Sequence, residues 1–160
     1  MQDYAETYGL KTGVFRMSCI YGDRQFGVED QGWISWFTIS TVLGNPITIY
    51  GDGKQVRDIL YVDDLIEAYN AFIESKLRHE VFNMGGGPKI TLSLIELLDF
   101  LYVLLRKKPK IAYSDWREGD QKVYISNISK AFLKLGWTPK ISSKEGIAKI
   151  VDWTTKHFEK

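Results

Sequence analysis

Two arginine-bearing segments contain the residue types best suited to binding a charged ligand. Segment 51–58 has the sequence Gly-Asp-Gly-Lys-Gln-Val-Arg-Asp, and segment 117–120 has the sequence Arg-Glu-Gly-Asp. Each combines one arginine with flexible glycine and neighbouring acids. A guanidinium is planar and permanently charged, and it can form two parallel hydrogen bonds with phosphate oxygens. The repeated pattern favours a site in which Arg57 and Arg117 bind a diphosphate.

A surface ion pair is the alternative for each segment. Arg57 could pair with Asp58 or Asp52, and Arg117 is followed by two acids in its own loop. Exposed pairs of this kind are common and contribute little stability. Spacing alone leaves both interpretations open.

The residues before and after the first arginine predict the elements that position it. Residues 47–50 and 56–62 have strand-like composition, and the glycines of 51–53 tolerate the backbone angles of a tight reversal. We therefore expect a β-hairpin here. Asp63 is expected to be the N-cap of a helix over 64–76.

Elsewhere the pattern alternates helices and strands, which predicts an α/β fold. Further helices are predicted over 2–8, within 30–45 and over 91–107, and further strands over 12–20 and 80–84. Asn127 is expected to cap a short helix that ends at Leu135, and Ser142 with Glu145 is expected to form a capping box for the last helix.

Composition indicates a folded domain. Of the 160 residues, 44% are hydrophobic and 14% are aromatic, and the formal net charge of +1 favours neither nucleic acid nor a membrane as partner. With Cys19 as the only cysteine, no internal disulfide is expected, and we predict a reducing, cytoplasmic location. The two histidines lack neighbouring thiols or paired acids, so no metal site is expected.

Six blocks in the chain together resemble one protein family. They lie at 16–22, 51–58, 61–64, 82–86, 117–120 and 135–139. In this order, and over nearly the whole chain, they resemble the C-terminal half of extended short-chain dehydrogenase/reductases, the NAD-dependent epimerases and dehydratases that act on sugar nucleotides. Residues 21–26 followed by 30–37 are most similar to epimerases that act on CDP-sugars.

The resemblance implies a fold and a division of the chain. The α/β fold would comprise the last strands and helices of a Rossmann-type parallel sheet and the small substrate-binding domain. Residues 1–22 and 55–86 would belong to the sheet, and residues 23–54 and 87–160 to the substrate-binding domain. The N-terminal NAD-binding half would be absent.

Two family motifs are missing, and the resemblance places the second of them before Met1. The chain has no Gly-x-Gly-x-x-Gly or Gly-x-x-Gly-x-x-Gly turn for NAD. Neither Tyr4 nor Tyr8 is followed four residues later by the lysine of the catalytic Tyr-x-x-x-Lys pair. We therefore expect a truncated chain that lacks the catalytic residues, binds no NAD by itself and is inactive alone.

Nucleotide-binding roles also follow from the resemblance. Arg57 and Arg117 would bind the diphosphate, and Asp120 would bind the ribose. Thr48 and Tyr50 would contact the base. Each of these roles is an expectation that depends on the residues sharing one site.

The remaining candidate residues would lie near the sugar and the cofactor. Gln25 and Gln31 belong to a loop that the resemblance places over the hexose. Met17 and Ser18 would line the nicotinamide side of the cleft. Cys19 stands where many relatives have an asparagine that donates to the diphosphate, and a thiol is a weaker donor. Apolar packing is the alternative for Cys19.

The expected function is the substrate-binding portion of an NAD-dependent nucleotide-sugar epimerase, with a CDP-sugar favoured and NAD as cofactor of the whole enzyme. A fragment of a dehydratase or 4-epimerase is one alternative. A sugar-nucleotide-binding module without catalysis is another. A structural role is the third, in which the chain self-associates through an apolar face left by the missing sheet.

Overall fold

The computed structural model describes residues 1–158, which form an α/β fold with mostly parallel strand pairing. The strands are β1 Thr12–Met17, β2 Cys19–Tyr21, β3 Pro46–Tyr50, β4 Val56–Tyr61, β5 His79–Met84, β6 Thr91–Ser93, β7 Lys110–Ser114 and β8 Val123–Tyr124. The helices are α1 Gln2–Tyr8, α2 Trp33–Leu43, α3 Val62–Glu74, α4 Leu94–Leu105, α5 Ser129–Leu135 and α6 Ser143–Phe158. The predicted fold class is confirmed.

Strand β4 is the centre of its sheet. It pairs in parallel with β2 and β8, and antiparallel with β6. Two further parallel pairs join β1 with β5 and β3 with β7. Parallel strands cannot be joined by a tight turn, so each pair brings together distant parts of the chain.

The predicted hairpin between β3 and β4 is wrong, although both strands form. The N–H of Gly51 donates to the carbonyl of Ser114, which continues the pairing of β3 with β7. The N–H of Val56 donates to the carbonyl of Lys122, beside β8. The strand edges that a hairpin would join are therefore paired with segments more than sixty residues away along the chain.

The strand predicted over 12–20 is interrupted at Ser18. Strand β1 pairs with β5 on one side of this break, and β2 pairs with β4 on the other. The Ser18 N–H donates to the carbonyl of Met84 over 2.8 Å. One predicted strand thus supplies two shorter strands to two different sheets.

Two helices begin at other residues than predicted. Helix α3 has Tyr61 at its N-cap, and the exposed Asp63 lies inside the first turn without a capping hydrogen bond. Helix α4 begins at Leu94, because the preceding residues pair with β4 as β6. Ser93 and Glu96 form a capping box that fixes this start.

Two clusters of buried side chains stabilise the fold. One packs helices α2, α4 and α6 against β3 and β4, with Ile47, Ile49, Ile59, Leu97 and Ile147 almost fully buried. The other packs α3 and α5 against β5 and contains Leu60, Phe72, Phe82, Met84 and Trp137. The sheet elements around β4 are therefore covered by helices, as expected for parallel strands.

Buried Asp64 connects α3 to the chain before α6. Its two carboxylate oxygens accept hydrogen bonds from the backbone N–H groups of Lys140 and Ile141, at 3.1 and 2.9 Å. Its own carbonyl accepts the indole N–H of Trp137 at 2.9 Å. These bonds hold the 137–141 segment on the helix.

Replacing this carboxylate should destabilise the protein. We expect Asp64→Ala to lower the free energy of unfolding by about 2–3 kcal/mol, because two backbone donors lose a charged acceptor. Asp63→Ala is the matched control and should cost at most about 1 kcal/mol, through the helix dipole alone. Urea denaturation measures both. Equal losses would mean that Asp63 acts as a cap after all.

Candidate functional site

A cleft of about 210 Å³ lies between the end of β3, the start of β4 and the loops that precede α2 and follow β7. Both Arg57 and Arg117 line it, and we call it the arginine cleft. Its other walls include Tyr50, Gln55 and Trp33. The two arginine-bearing segments of the sequence thus meet at one site.

Arg57 reaches the cleft because of strand alternation. Successive side chains of a strand point to opposite faces, so Arg57 and the fully buried Asp58 face opposite ways. The Arg57 Nη2 atom lies 2.6 Å from Asp120 Oδ1, and Nη1 donates to the carbonyl of Val56. The partner of Arg57 is therefore the acid of the second arginine segment, and neither of the local pairs proposed for it forms.

Asp58 supports the site from the core. Its carboxylate accepts hydrogen bonds from the Ser18 hydroxyl at 2.6 Å and from the Gly87 N–H at 3.1 Å. A Cβ added to Gly85 would lie only 2.0 Å from Asp58 Oδ2. The glycine loop after β5 thus encloses this carboxylate.

Arg117 stacks on the aromatic ring of Tyr50. The guanidinium carbon lies 3.9 Å from the ring centroid, and Nη2 lies 3.0 Å from Asp30 Oδ1. Hydrogen bonding with the Tyr50 side chain is the main cause that raises the pKa of Arg117 above its ordinary value, and the Asp30 carboxylate contributes. A cation over a ring face is favourable when partly desolvated.

The loop that carries Arg117 is fixed at both ends. The N–H of Asp120 donates to the carbonyl of Arg117, so that segment 117–120 forms a tight turn. Before it, the Trp116 ring packs directly on Gly51, whose φ is +86°. The turn after β3 therefore serves as the base for the second arginine segment.

A tight turn with two acids borders the cleft. Val28 and Gln31 exchange both of their backbone hydrogen bonds, which leaves Glu29 and Asp30 at the tip. The Tyr50 hydroxyl donates to Glu29 Oε1 over 2.9 Å. Two arginines and three carboxylates, counting Asp120, therefore line the cleft.

The structure brings together six of the ten residues predicted to bind substrate or cofactor. These are Gln31, Thr48, Tyr50, Arg57, Arg117 and Asp120. Met17, Ser18, Cys19 and Gln25 do not line the cleft. Their roles stay predictions, and the contacts of each describe what they do within the fold.

Hydrogen bonds explain where Ser18 and Gln25 lie. The Ser18 hydroxyl donates to Asp58, inside the core. The Gln25 amide donates to the carbonyl of Ile20 and accepts from the Ser35 hydroxyl, so both ends of the amide stabilise its loop. Sequence spacing could not reveal either partner.

Cys19 lies near Trp33 and Arg57 without lining the cleft, and Met17 does not line it either. Burial raises the pKa of the Cys19 thiol, while nearby Trp33 and Arg57 act in the opposite direction. Cys19 faces Ile59 in the pairing of β2 with β4. Met17 ends β1 with about half of its surface exposed, and the Tyr69 hydroxyl contacts its sulfur.

Several lining residues were not predicted from the sequence, notably Glu29, Asp30, Trp33 and Gln55. Gln55 had a detectable signal, because it precedes Arg57 by two residues and strand alternation puts such residues on one face. For Glu29 and Asp30, the only signal in the sequence was their position next to Gln31. Their contacts, of Glu29 with Tyr50 and of Asp30 with Arg117, are long-range and leave no local pattern.

Tyr50 and Lys54 have the four-residue spacing of the family's catalytic pair, which was sought above only at Tyr4 and Tyr8. That spacing brings two side chains together on a helix. Here Tyr50 ends a strand, and the turn over 51–53 separates it from Lys54. The pair therefore lacks the helical arrangement.

Residues 1–158 offer neither a membrane-spanning helix nor a metal-binding cluster. No helix there is both long and apolar enough to cross a membrane. No group of three or more His, Cys, Asp or Glu side chains in the same range is placed to hold a metal ion.

Comparison with known proteins identifies the family. Residues 1–85 match the NAD dependent epimerase/dehydratase family, and the chain belongs to it. Among curated proteins, CDP-paratose 2-epimerase of Salmonella typhi is 41% identical over 162 residues, which cover 97% of this chain and 48% of that protein. The resemblance predicted from the sequence blocks is confirmed.

Solved structures of epimerases are also similar to this chain. UDP-glucose 4-epimerase of Thermotoga maritima, solved with UDP-glucose, is 34% identical with a TM-score of 0.86, over 98% of this chain and 50% of that one. UDP-glucuronic acid 4-epimerase of Bacillus cereus, solved with UDP-glucuronic acid and NAD, is 26% identical with a TM-score of 0.84, over 98% and 49%. The chain spans about half the length of these relatives.

The contact between Trp116 and Gly51 can be tested with a pair of glycines. Gly51→Ala should lower the free energy of unfolding by at least about 1 kcal/mol more than Gly119→Ala. Both positions have positive φ, but an added Cβ meets the Trp116 ring at 2.5 Å in the first and nothing within 4 Å in the second. Urea denaturation gives both values. Indistinguishable losses would contradict the contact.

Proposed function

We propose that this chain supplies the nucleotide-sugar-binding portion of an NAD-dependent epimerase, and that its ligand is a CDP-sugar, as for a 2-epimerase that acts on CDP-paratose. The observation that carries the proposal is the convergence of Arg57 and Arg117 on one cleft with an aromatic ring between β3 and the second arginine loop. The family and the similarity to CDP-paratose 2-epimerase support it.

In this proposal the two guanidinium groups bind the diphosphate. Each can offer two N–H donors in a plane, which matches phosphate oxygens. Asp120 accepts from a ribose hydroxyl, and Thr48 and Tyr50 contact the base. Gln31 lies at the same cleft and can both donate to and accept from sugar hydroxyls.

Both arginines of the cleft are already paired with carboxylates, so a ligand must replace these carboxylates to bind the arginines. Arg57 is paired with Asp120, and Arg117 is paired with Asp30. A diphosphate that approaches both cations competes with these carboxylates. The Asp30 side chain is 86% exposed, so its pair breaks at little cost, whereas the Arg57 pair is mostly buried.

The glycine loop over 85–87 offers no open cradle for a phosphate. The glycine loop over 85–87 is filled by the Asp58 carboxylate, and the Gly87 N–H already donates to it. Met17 and Ser18 remain the proposed contacts on the nicotinamide side. NAD supplies hydride transfer in the whole enzyme, and no step of that chemistry is assigned to these residues.

Calorimetry with CDP tests the diphosphate site. We expect Arg57→Ala and Arg117→Ala each to weaken CDP binding at least about tenfold, because each removes charge-assisted hydrogen bonds. Arg78→Ala is the matched control, since that arginine is exposed and does not line the cleft, and it should change the affinity less than twofold. Cytidine, which has no phosphates, should be equally insensitive to all three substitutions.

Two results would reject the proposal. One is the absence of CDP binding to the unsubstituted chain. The other is equal weakening by all three arginine substitutions, which would reflect only the loss of overall positive charge.

A further inference from the structure

The Tyr50 end of the arginine cleft offers hydrogen-bond acceptors. A tyrosine hydroxyl can donate one hydrogen bond and accept others, but the proton of Tyr50 is used on Glu29 Oε1 at 2.9 Å. The Tyr50 oxygen can therefore only accept further hydrogen bonds, from the neighbouring Arg117 side chain and from a ligand. A glutamate carboxylate such as that of Glu29 supplies acceptor oxygens. Two acceptors thus lie 2.9 Å apart at this edge.

A second side chain of the cleft also has an oxygen that could accept a hydrogen bond. Gln55 is 6% exposed, and its Nε2 donates to the carbonyl of Tyr50 over 2.8 Å. Its Oε1 atom is buried and accepts no hydrogen bond from the described residues. One of the two Nε2–H donors of Gln55 is thus used within the protein, and its oxygen is an unused acceptor.

We infer that Glu29, with the Tyr50 oxygen, selects cytosine over uracil as the base of the nucleotide. This inference rests on the proposed function, which puts the base at Tyr50. It assigns a specificity-determining role to a residue that lies outside the two arginine segments.

The difference between the two bases explains the selection. Cytosine has an exocyclic amino group with two N–H donors, whereas uracil has a carbonyl at that position. One amino group can donate to the two adjacent acceptors, and a glutamate that accepts from this amine is an established pairing. Uracil would direct a carbonyl oxygen at a carboxylate, which leaves desolvated acceptors unpaired.

Asp30 has a different role, although it is the neighbour of Glu29. Its carboxylate lies 3.0 Å from Arg117 Nη2, at the cation proposed to bind the diphosphate. Both nucleotides carry the same diphosphate. A change at residue 30 therefore alters the affinity for CDP and UDP alike, whereas a change at residue 29 alters their ratio.

The test measures the dissociation constants of CDP and UDP for the unsubstituted chain, Glu29→Gln and Asp30→Asn. We expect the unsubstituted chain to bind CDP at least about tenfold more tightly than UDP. Glu29→Gln should reduce this preference to about threefold or less, because an amide can also donate to the uracil carbonyl. Asp30→Asn should change both constants by the same factor and keep the ratio. Glu29 is exposed, so its substitution should not impair folding.

The outcomes separate this inference from the proposed function. Equal binding of CDP and UDP by the unsubstituted chain would overturn the inference and leave the diphosphate site intact. The same holds if Glu29→Gln keeps the preference, or if Asp30→Asn abolishes it. Failure of both nucleotides to bind would overturn the proposed function, and the inference with it.

Discussion

The ion pair between Arg57 and Asp120 is the interaction on which the arginine cleft depends. It joins residues 63 positions apart, and both side chains are mostly buried. The pair ties the loop after β7 to the first residues of β4, so that Arg117 comes to lie over Tyr50. Breaking it would leave a desolvated charge on either side, which is costly. The same contact therefore shapes the cleft and holds one of its cations in place.

Strand β4 separates the polar site from the core within two residues. Arg57 faces the cleft, and Asp58 faces the glycine loop after β5 and the break between β1 and β2. Because these contacts lie on opposite faces of one strand, the position of the arginine is set by hydrogen bonds that a ligand does not touch. The cation is thus preorganised, which reduces the entropy lost on binding.

Local signals in the sequence predicted the helices, the strands and the two arginine segments. They did not predict which strands pair or which side chains the arginines contact. Glycines at 51 and 53 correctly indicated a turn, yet the hairpin was wrong because β3 and β4 pair with strands far along the chain.

The partner of Arg57 was missed for the same reason. Acids near it in the sequence were obvious candidates, whereas the actual partner, Asp120, is 63 residues away and no spacing reveals it. The ligand role of Gln25 stays a prediction, and the bonds of its amide to Ile20 and Ser35 were not visible in the sequence. The acids at 29 and 30 were missed because their contacts to Tyr50 and Arg117 exist only after folding.

A crystal structure of the chain with CDP tests the central claim most directly. We expect phosphate oxygens to lie within hydrogen-bonding distance, about 3 Å, of both the Arg57 and the Arg117 guanidinium groups. We also expect the Arg117 to Asp30 pair to be broken in that complex. CDP bound elsewhere, or a diphosphate that contacts neither arginine, would contradict the account.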